Sequence, residues 1–185
     1  SAAASEGRAG PTNNTAVSAS SGRNTPTGPE TVAVTFEVVL RGAQHSDAEK
    51  FAEADLGLFG SQAWSVAMYL EEIDGPGRSY LVAEVADQFV GYAGIWFNGD
   101  DAQLMTIGVL HQWQGQGIAR ALLAELIEQA RHLGADRMLL EVAVDNARGI
   151  QFYEAAGFTV FGRRRRYYQP EGTDAWTMAK QLDVS

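Results

Sequence analysis

The chain has no cysteine among its 185 residues, which excludes disulfides, thiolate metal sites and cysteine nucleophiles. Its three histidines, His45, His111 and His132, are scattered without the spacing of metal ligands, so no metal is expected. Basic residues are also scarce: 14 Lys and Arg against 23 Asp and Glu leave a formal net charge of −9. That balance argues against general affinity for nucleic acid. No apolar run approaches the roughly 18 residues a membrane helix requires, and the amino end lacks a basic-then-apolar leader. A soluble, cytoplasmic protein without a membrane partner is expected.

Large apolar side chains are missing from the first 31 positions, where Val17 is the one apolar residue larger than alanine. Such a segment cannot bury enough surface to offset its ordering entropy. Residues 1–31 therefore read as a flexible tail or linker, and 32–185 as one domain, because 45% hydrophobic content over this length supports one core but not two.

Within that domain the periodicities predict alternating elements. A β-branched run at 32–41 reads as a strand, and Ser46 with Glu49 as a capping box opening a helix over 47–58. A second helix fits Ser65 to Ile73, stopped by Asp74-Gly75-Pro76-Gly77. Three strands follow in a meander: Ser79–Val85, Phe89–Phe97 and Ala102–Leu110. Ile118, Leu122, Leu126, Ala130 and Leu133 recur at helical spacing and end at Gly134. Arg137–Val144 is an apolar strand interrupted by Glu141; Asp145-Asn146 caps a short helix through Glu154; Phe158–Gly162, Arg165–Tyr168 and Trp176–Leu182 complete the strands. The order β-α-α-β-β-β-α-β-α-β-β implies a mixed α/β sheet with helices on both faces.

The stretch Thr106–Arg120 joins a strand to the long helix through a loop rich in glutamine and glycine. A glycine loop opening a helix is an anion site, since first-turn N–H groups are unpaired and glycines let a phosphate approach the backbone. A phosphate-loop ATPase would need G-K-[ST], which is absent, and a dinucleotide loop needs a small residue where this chain has Arg120. What remains is Q-x-x-G-x-A, formed by Gln114, Gly117 and Ala119.

That motif in this element order resembles the GNAT superfamily of N-acetyltransferases, over about residues 34 to 182. Further motifs resemble the ribosomal-protein-alanine N-acetyltransferases: Leu140-Glu141-Val142, Asp145-Asn146, Phe152-Tyr153-Glu154, Gly157-Phe158, Arg164 through Tyr168, and Asp174-Ala175 with Met178. The resemblance implies a mostly antiparallel sheet with one splayed strand pair forming a wedge for acetyl-CoA. By it, the backbone of Gln114, Gly115, Gln116, Gly117, Ile118 and Ala119 binds the pyrophosphate, and Ile107 and Val109 pair with the pantetheine arm. Gly108 is expected to permit the bulge that opens the wedge. Arg120 could reach a phosphate of the cofactor.

The resemblance makes Glu141 the general base and Tyr153 the general acid that protonates the departing thiolate, and places Asn146 near the pantetheine. Independently, a carboxylate inside M-L-L-E-V-A-V is out of place unless it lines a functional cleft, because an unpaired buried charge costs several kcal/mol. Each of the others has a packing alternative: Tyr153 in the core, Asn146 as a helix cap, Tyr167 and Tyr168 as acceptor groove or core aromatics, Trp64 as groove wall or core. The family usually continues L-E-V with arginine where this chain has Ala143, so that contact is absent or comes from another residue. Arg163–Arg166 is the one concentrated basic run, either a solvated edge or a set whose alternate arginines, Arg164 and Arg166 or Arg163 and Arg165, point toward an acidic or RNA-associated acceptor or a cofactor phosphate.

The implied acceptor is a protein N-terminus, with a ribosomal protein beginning in alanine the family's choice and a monomeric enzyme acting on it. An α-amine with pKa about 7.7–8.0 needs only about 1 kcal/mol to deprotonate at pH 7, whereas lysine near 10.4 needs about 4.6. A lone glutamate base is better matched to the former. A lysine or small-amine acetyltransferase, and a non-catalytic acyl-CoA-binding domain, are the rival readings.

Overall fold

The computed structural model describes residues 36–183, so the tail expected at 1–31 lies outside the described residues. Seven strands form a single sheet: β1 (Val39–Gly42), β2 (Arg78–Val85), β3 (Gln88–Phe97), β4 (Asp101–Val109), β5 (Arg137–Ala143), β6 (Thr159–Tyr168) and β7 (Thr173–Gln181). Their spatial order is β1-β2-β3-β4-β5-β7-β6, and every neighbouring pair is antiparallel except β4–β5. Four helices cover it: α1 (Ala48–Phe59), α2 (Val66–Asp74), α3 (Ile118–Leu133) and α4 (Ala147–Ala155). The expected mixed sheet with helices on both faces is what forms.

The two faces carry separate cores. Under α3 and α4, the inward residues Leu104, Ile107, Val109, Leu140, Val142 and Met178 meet Ile118, Leu122, Leu126 and Tyr153. Under α1 and α2, an aromatic cluster of Phe51, Tyr69, Tyr80, Tyr92 and Trp64 fills the space, with Phe51 stacked on Tyr92 at 5.0 Å. α3 begins and ends where the spacing predicts, and Gly134 at φ +87° closes it in the left-handed conformation that glycine adopts without strain.

Some boundaries differ for identifiable reasons. The strand expected at 32–41 narrows, among the described residues, to the four-residue β1, while Phe36 and Val38 pack on the core instead and Phe36 meets Trp113 edge-on at 5.4 Å. Ser46 and Glu49 do not form the capping box; a 3₁₀ turn at His45–Asp47 precedes α1, and the Gln44 backbone N–H donates to Asp47 Oδ2 at 2.8 Å. Arg41 satisfies the same carboxylate, so the ion pair fixes the turn. The two segments expected at 158–162 and 165–168 are one strand, β6, whose ladder with β7 is irregular. α2 behaves as read, with Ser65 accepting from the Met68 N–H.

The bulge in β4 is not at Gly108. Gly94 pairs with Thr106 and Ile95 with Leu104, which leaves Met105 as the extra residue. Gly108 serves packing instead: a Cβ there would lie 2.7 Å from the Tyr92 ring. The bulge resets the alternation, so Ala102 and Leu104 before it and Ile107 and Val109 after it all enter the α3–α4 core.

Candidate active site

The parallel β4–β5 ladder lasts three residue pairs, from Asp101↔Arg137 to Gln103↔Leu139, and then stops. Arg137 closes that end with two bonds to the Asp101 carboxylate, at 2.9 and 3.1 Å. Beyond it, β5 remains paired to β7 and β4 to β3, so their facing edges part into a wedge running toward Val109 on one side and Ala143 on the other.

At the wide end sits the glycine loop. A 3₁₀ turn at His111–Trp113 leads into it, and the Gln114 side chain folds back to donate from Nε2 to the Val109 carbonyl at 3.0 Å. Gly115 and Gly117 have φ of +75° and +84°, and Gly117 is the N-cap of α3. Gly115, Gln116 and Gly117 are exposed, while Ile118 is buried and anchors the helix. No side chain caps this helix start, so its first N–H groups face outward beside a backbone that only glycine accommodates easily. Arg120 lies on the first turn, at the rim of a groove of about 380 Å³ between α3 and α4 that also includes Phe152, Arg131 and Lys180.

Glu141 follows from strand alternation. Leu140 and Val142 enter the α3–α4 core, so the glutamate emerges on the opposite face, 8% exposed. Thr177, its register partner on β7, donates to Oε2 at 2.7 Å, and Arg164 Nε lies 3.6 Å from Oε1. Burial pushes this carboxyl above the ordinary glutamate range, and the threonine hydrogen bond and arginine charge pull it back part of the way.

Tyr153 is fully buried on α4, edge-on to Phe152 and Phe158. Tyr168 is 3% exposed, and its hydroxyl has no hydrogen-bond partner among the described residues. Burial above all pushes the Tyr168 phenol well up, and Tyr167, Glu141 and Tyr153 act on it in the same direction. The Tyr168 phenol is thus within electrostatic reach of both Glu141 and Tyr153. Tyr167 packs edge-on to Tyr168 at 4.9 Å, under the Arg164 guanidinium at 5.4 Å. Asn146 accepts from the Gly149 N–H at 3.0 Å and caps α4. Trp64 sits apart from these, 5% exposed inside the α1–α2 cluster, with its backbone N–H on Asp55 and its indole N–H without a partner among the described residues. No group of side chains suited to a metal ion occurs among the described residues, and none of their helices is long and apolar enough to cross a membrane.

Sequence reasoning missed two neighbours of Glu141. Thr177 stands at an unassigned position of the Asp174–Met178 motif, and only the β5–β7 register brings it to the glutamate. Arg164 was visible as one of four arginines, but its direction depends on the irregular β6–β7 ladder. The usable signal was Glu141 itself, since a buried carboxylate requires donors from the strands beside it.

A strand pair that parts above a glycine-opened helix, with a desolvated carboxylate on the inner strand, defines an acyl-CoA N-acyltransferase fold. The family model described as "Acetyltransferase (GNAT) family" matches residues 47–158, and the chain belongs to that family. It is similar to the N-alpha-acetyltransferase RimI of Mycobacterium tuberculosis, at 37% identity over 153 residues that cover 80% of this chain and 95% of that protein. The crystal structure of the ribosomal-protein-S18-alanine N-acetyltransferase from Escherichia coli superimposes with a TM-score of 0.73 at 26% identity, covering 80% of this chain and 96% of that one. The yncA protein of Salmonella typhimurium, solved with its cofactor acetyl-CoA, gives a TM-score of 0.69 at 25% identity, covering 80% and 95%. The protein is an acetyl-CoA-dependent N-acetyltransferase of the RimI-like group.

Proposed function

We propose that the enzyme transfers the acetyl group to the α-amine of a protein N-terminus, with an alanine-starting ribosomal protein as the acceptor. The observation that carries this reading is Glu141, a single carboxylate held 8% exposed beside the wedge with its affinity for protons raised by burial. A lone base of that kind matches an amine that is already near neutrality at physiological pH. The similarity to proteins named for N-alpha and S18-alanine acetylation supports the same acceptor class.

In this reading Glu141 accepts the proton of the acceptor amine, directly or through a water, as the nitrogen attacks the thioester carbonyl carbon. The carbon–sulfur bond then breaks, and Tyr153 returns a proton to the departing thiolate. The backbone N–H groups from Gln114 to Ala119 hold the pyrophosphate, with Arg120 toward a phosphate. The strand edge at Ile107 and Val109 pairs with the pantetheine arm, and Asn146 contacts it from the cap of α4. Tyr167 and Tyr168 line the acceptor groove. The same reading makes the enzyme a cytoplasmic monomer that binds no nucleic acid.

Incubation with acetyl-CoA and two peptides, one starting with free alanine and one blocked at its N-terminus but containing lysine, tests the acceptor class. Mass spectrometry should find the acetyl group on the alanine nitrogen; modification confined to lysine would overturn the reading.

A further inference from the structure

On the face of the sheet that bears Glu141, the row Ala143–Ala175–Arg164 runs across β5, β7 and β6 in register. The two alanines are buried against Tyr168, and the Arg164 side chain comes to 3.6 Å from Glu141 Oε1 without closing a hydrogen bond. The arginine side chain is far more exposed than that of the glutamate, so the guanidinium lies nearer solvent and the carboxylate behind it. Its placement is built. Between Arg164↔Ala175 and Tyr168↔Thr173, β6 carries three residues opposite the single residue Asp174. That aspartate accepts from the Arg166 backbone N–H at 2.8 Å and from Arg163 Nε at 2.7 Å, which pins the irregular segment, while the Tyr167 ring supports the Arg164 guanidinium from below.

Among the groups acting on Glu141 are Thr177 from β7 and Arg164 from β6, and Glu141, Tyr153 and Asp145 in turn act on the Tyr168 phenol. Arg163 is engaged by Asp174 and lies over Trp176. Arg164 is therefore the cation that an incoming amine meets beside the base. An ammonium entering there is repelled and a neutral amine is not. At pH 7 about one α-amine in ten is neutral, against a few lysines in ten thousand.

We propose that Arg164 is a specificity-determining residue, which keeps protonated amines away from Glu141 and so biases the enzyme toward acceptors that arrive uncharged. This rests on the α-amine reading above, and its test separates the two. The kcat/KM of the wild type, Arg164→Gln and Arg164→Lys would be measured between pH 5 and 9 on an alanine-starting peptide and on its N-terminally blocked, lysine-containing counterpart. Thermal melting would confirm that each variant is folded. Arg164→Gln is expected to raise the lysine-to-alanine ratio by about tenfold, a modest effect suited to a partly exposed charge. It should also move the acid limb of the alanine-peptide profile upward, because the arginine charge holds the Glu141 carboxyl down. Arg164→Lys should retain the wild-type ratio and limb. Equal losses on both peptides with an unmoved limb, or a lysine variant that behaves like the glutamine one, would overturn the proposal. A wild type that prefers the lysine peptide would overturn the α-amine reading, and the change in ratio on Arg164→Gln would still decide the role of the arginine.

Discussion

Asp55 on α1 and Glu141 on β5 are both buried carboxylates whose proton affinity is raised first by desolvation. Their surroundings separate them. Asp55 is 0% exposed and held by two donors from its own core, the Trp64 backbone N–H at 3.0 Å and the Tyr92 hydroxyl, with the Tyr69 phenol nearby. Glu141 has Thr177 on one oxygen and a more distant arginine near the other, and it stands where two strands part. Burial alone therefore does not mark a base. A carboxylate whose partners all belong to the core holds helices together, whereas one beside an opening has room for a substrate proton.

The comparison can be broken in three ways. The largest effect is expected from Glu141→Gln, which should lower kcat by about 10²-fold or more while coenzyme A binding, measured by calorimetry, stays intact. If Asp55→Asn lost as much turnover without losing stability, the distinction between the two carboxylates would collapse. Next, Asp55→Ala should destabilise the fold by about 3 kcal/mol in urea unfolding, because it leaves the Trp64 N–H and Tyr92 hydroxyl buried without their acceptor. Glu141→Ala should cost far less in the same assay. The smallest effect is expected from Thr177→Val. The threonine hydrogen bond favours the charged glutamate, so its loss raises the Glu141 pKa further and moves the acid limb of kcat/KM to higher pH. An unmoved limb would mean that Thr177 does not act on the base.

Much of this was legible in the sequence because it depends on local pattern. The 3.6-residue period and terminal glycine set the limits of α3, and the alternation in M-L-L-E-V-A-V put Glu141 on the face away from its neighbours. The glycine loop reads as a candidate anion site from its composition together with its place at the start of a helix. What escaped depends on register between strands distant in the chain. Thr177 meets Glu141 across a separation of 36 residues, and Arg164 reaches it through an irregularity pinned by Asp174. Gly108 misled for another reason: glycine at a bulge and glycine beneath an aromatic ring look alike in sequence, and here the ring of Tyr92 decides. The Ser46–Glu49 box lost to a carboxylate two residues earlier, Asp47, that also had an arginine to pair with.

The extra residue at Met105 acts on β4 as a frameshift acts on a reading frame. Up to Leu104, even-numbered positions belong to the α3–α4 core; from Ile107 onward, odd-numbered ones do. Deleting Met105 would leave Leu104, Ile107 and Val109 on the same face in simple alternation, whereas taking Met105 into a regular ladder would send Ile107 and Val109 toward the tyrosines and turn Thr106 into the aliphatic core. One unpaired backbone position thus carries the phase of the strand beyond it, and losing the bulge while keeping its residue is a far greater change than any substitution of the side chain it bears.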